Sequence, residues 1–94
     1  MKIIIAGAGE VGTHLAKLLS REEQDIILID NDEEKLRELD ANYNLMTVIG
    51  NPTAFQTLKQ AQVYKADLFI AVMPFESRNI MACTMASQLG AKKT

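Results

Sequence analysis

Residues 1–12 read Met1-Lys2-Ile3-Ile4-Ile5-Ala6-Gly7-Ala8-Gly9-Glu10-Val11-Gly12, an apolar strand pattern running straight into a Gly-x-Gly-x-x-Gly turn. Asp30 stands 18 residues past the last of these glycines, at the end of a second apolar run, Ile26-Ile27-Leu28-Ile29. Alone, the glycine pattern is weak, because it recurs by chance in many loops. Here a strand pattern precedes it, an amphipathic helix pattern follows it, and an acid closes the next strand. That is the context of a dinucleotide-binding βαβ unit.

Each residue type has a physical reason to be where it is. Gly7 lets the chain turn sharply out of the strand, through backbone angles closed to a residue with a Cβ. Gly9 lets the backbone approach a pyrophosphate with no side chain between them, and Gly12 brings the next helix close against the strand. That helix, whose first turn holds Glu10 and Val11, aims free N–H groups and a positive dipole end at the phosphates. Asp30 is placed to accept hydrogen bonds from both ribose hydroxyls. The competing reading is a glycine-rich turn in a ligand-free βαβ unit, which gives no reason for an acid at this spacing.

Ninety-four residues make one small domain or part of one, and a 48% hydrophobic share supplies a core. A net charge of −2 with scattered basic residues argues against a nucleic-acid surface. The single cysteine, Cys83, has no internal disulfide partner, which fits a reducing cytoplasm. Only a short apolar run separates Met1-Lys2 from the glycines, so no signal peptide is visible. The run 68–75 falls far short of the ~20 residues of a membrane helix. A membrane role is therefore expected to come through a partner, without direct insertion.

Strands are expected at 2–6, 25–29, 45–49 and 67–72, and helices at 10–20, 33–42, 54–62 and 78–89. Val11, Leu15, Leu18 and Leu19 mark one face of the first helix. Asn31 with Glu34, and Thr53 with Gln56, are capping-box candidates, and Ser77 is the expected cap of the last helix. Gly90 stops that helix. Four consecutive β-α units imply a Rossmann-like, doubly wound parallel sheet with right-handed crossovers and strand order 3-2-1-4. Its reversal point sets residues 7–12 against 73–79 across a crevice. Residues 91–94 read as the approach to a fifth strand, so the expectation is a single nucleotide-binding domain, 1–94, truncated after the fourth unit.

Asp30 favours the free 2′-hydroxyl of NAD over the phosphate of NADP. Asn31, Asp32, Glu33 and Glu34 follow it, where NADP binding would call for an arginine. ATP or ADP also carries a 2′-hydroxyl and stays open as a ligand.

Several further stretches carry a family resemblance: Gly7 to Gly12 with Leu15, Ile29-Asp30-Asn31-Asp32, Gly50-Asn51, Ala66-Asp67-Leu68-Phe69-Ile70-Ala71-Val72 and Asn79-Ile80-Met81-Ala82-Cys83. Together they resemble the N-terminal RCK (regulator of K⁺ conductance, or KTN) domains of the TrkA type, from bacterial Trk potassium uptake systems. The resemblance spans essentially the whole chain. It implies a cytoplasmic regulatory subunit that binds NAD⁺ or NADH, in some members ATP or ADP, and controls a membrane potassium transporter by changing the shape of an oligomer. By position, it assigns Gly7, Gly9 and Gly12 to the phosphates and Asp30 to the ribose. Asn51 goes near the adenine, and the loop after the fourth strand, with Met73 and Asn79, near the far ribose or phosphate. This chain has Met73 where the family often has threonine, an apolar side chain in place of a hydroxyl.

Other residues have plainer explanations. Glu10 reads equally as a ligand contact or as a carboxylate stabilised by the helix dipole. His14 has no cysteine or paired acid near it, and Cys83 reads as a packed thiol. Asp32 reads best as a helix cap, and Arg78 as a surface charge beside the crevice. The helix 78–89 carries more apolar residues than one stripe needs, including Met81 and Met85. That excess predicts a homodimer contact through this helix. The absence of an acid–base pair or nucleophile favours a ligand-sensing module that is not an enzyme. The alternatives are the cofactor half of an NAD-dependent dehydrogenase and a structural unit with an empty crevice.

Overall fold

The computed structural model describes residues 1–94. Strand β1 (Lys2–Ala6) lies at the centre of one parallel sheet, between β2 (Asp25–Asp30) and β4 (Leu68–Ala71), with β3 (Met46–Ile49) outside β2. The order β3-β2-β1-β4 is the expected one. Helices α1 (Glu10–Ser20), α2 (Glu33–Asn42), α3 (Phe55–Gln60) and α4 (Glu76–Gln88) alternate with the strands. Side chains of successive strand residues point to opposite faces, so the isoleucine run of β1 serves two cores. Ile4 and Ala6 join Ile27, Ile29 and Phe69 under α3 and α4, where Leu58, Ala82 and Ala86 meet them. Ile3 and Ile5 join Ile26 and Leu28 under α1 and α2, against Ala16, Leu36 and Leu39. Covering on both faces is why these strands are continuously apolar. Ile4 and Ile5 are fully buried, each contributing about 1.5–3 kcal/mol.

Four local expectations are corrected. The buried face of α1 is Gly12 and Ala16, with Leu15 and Leu19 half-buried, while Val11 and Leu18 stand 63% and 47% exposed. A Cβ on Gly12 would overlap the Gly7 carbonyl. The helix therefore lies so close to the turn that small residues sit deepest against the sheet, with Leu15 and Leu19 packing beside them and Val11 and Leu18 left outside. The helix expected over 54–62 ends at Gln60; Gln62 takes a left-handed conformation (φ 59°), and a 3₁₀ turn, Val63–Lys65, delivers Val63 to the core. The Asn31–Glu34 capping box does not form: the cap of α2 is Asp32, as expected of that residue, and its Oδ1 accepts the Lys35 N–H at 3.1 Å. Neither Thr53 nor Ser77 caps a helix: α3 and α4 start from Ala54 and Phe75 with no side-chain cap.

The amino end of the sheet is tied by Asp67. Its Oδ2 accepts the Lys2 N–H at 2.8 Å, and its Oδ1 pairs with Lys92 Nζ at 3.3 Å. The Lys2 N–H, helped by Lys92, holds this carboxyl below the usual aspartate range. Lys92 N–H donates to the Ala66 carbonyl at 3.0 Å, and Phe69 N–H to the Lys93 carbonyl at 2.8 Å. The segment after α4 thus runs along the outer edge of β4, where a fifth strand was expected.

Candidate nucleotide-binding site

The carboxyl ends of all four strands open onto one edge of the sheet, and each delivers residues singled out by the sequence. After β1 comes the glycine turn. Gly7 has φ +114°, and a Cβ there would press on the Val72 carbonyl and the Met73 side chain at 3.0–3.2 Å. The first and third glycines are thus required by the protein's own packing. Gly9 is different. Its backbone is ordinary and extended (φ −74°), and a Cβ built on it meets nothing within 4 Å. Neither conformation nor internal packing asks for glycine at this position, which faces open space.

Gly9 is also the N-cap of α1 and offers no side chain to the first turn. The first N–H groups of a helix have no intrahelical acceptor, so the N–H groups at Glu10 and Val11 are open to an anion. Glu10 and Val11 are both exposed there. A groove of about 480 Å³ runs beside the turn, bordered by Gly9, Thr13, His14, Lys17 and Lys35. Thr13, not picked out by the sequence reading, donates from Oγ1 to the Ala8 carbonyl at 3.0 Å and so fixes the turn from the helix side. The signal was available: a hydroxyl one residue past the last glycine falls on the turn of helix facing the loop.

Asp30 closes β2 beside this turn. Its Oδ2 accepts the Ala8 N–H at 2.7 Å and its Oδ1 the Asp32 N–H at 2.9 Å, and no lysine or arginine pairs with it. Asn31, next to it, is exposed. After β3, Gly50 leaves room for the Thr57 side chain, which a Cβ would approach to 2.7 Å. Asn51 Oδ1 accepts from Thr53 N–H at 2.9 Å and Thr53 Oγ1 at 2.7 Å, shaping the turn into α3.

After β4, Asn79 acts as a clamp. Its Oδ1 accepts the Met73 N–H at 2.7 Å and its Nδ2 donates to the Met73 carbonyl at 3.0 Å. The amide oxygen and one amide N–H expected to be available to a ligand are therefore spent on the loop, and Met73 is held against Gly7. A larger hollow of about 640 Å³ lies on the outer flank of α4, lined by Asn79, Ile80, Cys83 and Ser87 among others. Cys83 is half-buried, and burial pushes its thiol up. His14 is exposed, and Arg78 stacks over the Phe75 ring at 5.2 Å. Met85, expected on an outward face, packs on the core with Leu89; the exposed apolar residues of α4 are Ile80 (62%) and Met81 (54%).

Comparison with known proteins fits this layout. The chain is 45% identical over 89 residues to the Trk system potassium uptake protein TrkA of Halomonas elongata, covering 95% of this chain and 20% of that protein. It therefore spans about a fifth of that relative's length. Among solved structures, the Kef CTD of Shewanella denitrificans in its AMP-bound form superposes with a TM-score of 0.79 at 19% identity, over 94% of this chain and 52% of that one. ChuY, an anaerobillin reductase from Escherichia coli O157:H7, superposes with a TM-score of 0.77 at 15% identity, over 97% and 47%. At such identities these likenesses speak for the fold alone, which serves a reductase as well. Residues 3–94 match the TrkA-N domain model, and the chain belongs to that family.

Proposed function

We propose that the crevice at the carboxyl edge of the sheet binds an adenine nucleotide, NAD(H) in preference to NADP(H), with ATP or ADP as the other candidates. The observation that carries this reading is Gly9, a glycine that the fold itself does not need. A pyrophosphate lying over the first turn of α1 would need it. Gly7, Gly12 and Thr13 would shape the phosphate seat, Val11 and Glu10 would border it, and Asp30 would take the ribose hydroxyls. Asn31 and Asn51 stand on the adenine side, and Met73, held by Asn79, forms the opposite wall.

Binding without turnover is the expected behaviour. The crevice brings together glycines, asparagines, a methionine, Thr13 and one aspartate bonded to main-chain N–H groups, while Glu10, His14, Lys17 and Lys35 line the groove beside them without pairing with one another, a set suited to holding a ligand. The kinship with potassium uptake proteins supports a regulatory role toward a membrane potassium transporter subunit. No helix of this chain is long and apolar enough to cross a membrane, and on the strength of that kinship the domain would work at the cytoplasmic side through that partner. A nucleotide shifts an assembly only as far as its affinities for the two states differ. A physical route exists: the glycine turn touches Val72 and Met73, Asn79 fastens Met73 to the first turn of α4, and Ile80 and Met81 follow on its exposed side. A second copy of the chain would pair there, through the 78–89 helix.

Calorimetric titration with NADH, NADPH and ADP tests this reading. NADH is expected to bind at least about tenfold more tightly than NADPH, whose 2′-phosphate would meet the Asp30 carboxylate. Equal affinities would remove Asp30 from the ribose site, and no binding of any of the three would end the nucleotide reading.

A further inference from the structure

Asp30 does more in this fold than stand ready for a ribose. In an extended strand successive N–H groups point to opposite sides, yet Gly7 and Ala8 both donate toward the end of β2. Gly7 N–H reaches the Ile29 carbonyl at 2.8 Å, the last main-chain rung between β1 and β2. The positive φ of Gly7 then swings the next N–H back to the same side, where the Asp30 carboxylate accepts it at 2.7 Å. Ala8 is fully buried, so this N–H has no water to turn to. The other carboxylate oxygen is fixed by the Asp32 N–H at 2.9 Å, which orients the group. The carboxylate thus adds one side-chain rung to the ladder where the main chain can no longer supply it.

We infer that Asp30 is a positioning residue for the phosphate-facing turn, so that affinity for the pyrophosphate part of a nucleotide depends on it even when no ribose hydroxyl is present. The inference rests on the nucleotide reading above and adds to it. The two functions are compatible, because a carboxylate offers about four acceptor sites and the two N–H groups fill only half of them. Bonds to an ionised acceptor are roughly twice as strong as neutral ones, which suits an aspartate here better than an asparagine. An amide has a single oxygen, so Asp30→Asn keeps one of the two N–H bonds at most.

The test compares ADP with 2′,3′-dideoxy-ADP on the wild-type protein, Asp30→Ala and Asp30→Asn. If Asp30 only reads the ribose, the dideoxy nucleotide binds all three alike, and that result overturns the inference. If it positions the turn, dideoxy-ADP loses about tenfold or more in Asp30→Ala, the worth of one charge-assisted hydrogen bond, and less in Asp30→Asn, which keeps one N–H bond at most. Amide hydrogen exchange at Ala8 without ligand gives a second measurement. It should be slow in the wild type and fast in Asp30→Ala while the amides of the β1 interior stay protected. Unchanged Ala8 exchange would refute the positioning role. Lost Ala8 protection together with no nucleotide binding in the wild type would keep the rung and discard the ligand.

Discussion

The two ends of β1 are finished by the same device and left in opposite conditions. At the amino end Asp67 takes the Lys2 N–H at 2.8 Å; at the carboxyl end Asp30 takes the Ala8 N–H at 2.7 Å. The other oxygen of Asp67 pairs with Lys92, a cation that neutralises it. Asp30 has no cation, only the further N–H of Asp32, and it stands beside a turn whose middle glycine faces open space. One acid closes its end of the sheet with an ion pair. The other leaves acceptor sites for neutral donors, which is what a ribose would bring.

The comparison can be broken hardest at Gly12. Gly12→Val drives a Cβ into the Gly7 carbonyl, where neither backbone can yield. About 3 kcal/mol of stability should be lost, and the melting temperature should fall by roughly 12–24 °C. Gly7→Ala comes next: it combines a left-handed φ with contacts at 3.0–3.2 Å on Val72 and Met73. Thermal denaturation should show about 2 kcal/mol of destabilisation. A variant as stable as wild type at either position would mean the turn is not packed as described.

The amino end responds less, and to pH. The folded pKa of Asp67 is lowered, so its contribution is complete above the unfolded carboxyl value, about 3.9, and disappears as pH falls through the folded one. Asp67→Asn should therefore melt below wild type at neutral pH, and the gap should close on acidification. A gap that widens in acid would contradict the bond to Lys2.

Much of this molecule was legible from its sequence because a parallel sheet covered on both faces writes itself as apolar runs, and a glycine turn between two of them has few alternatives. The four strands and their order follow from that. The burial of α1 does not, because helical periodicity counts apolar residues while the close approach at Gly12 selects small ones, putting Ala16 inside and Val11 outside. The partners of Asp30 and Asn79 were equally hidden. Ala8 and Asp30 are 22 residues apart, and their bond depends on how Gly7 redirects the chain. Asn79 was recognised as a crevice residue, but that its amide grips Met73 depends on the path of the loop between them.

Gly9 offers the smallest structural perturbation and the most direct test of the crevice as a nucleotide site. Its Cβ position is empty, so Gly9→Val should cost no more than about 1 kcal/mol, the effect of changing a helix cap. Calorimetric titration of NADH and ADP against this variant, beside a thermal melt, separates binding from folding. The account predicts a near-wild-type melt with binding abolished; a variant that binds both nucleotides as wild type does would contradict it.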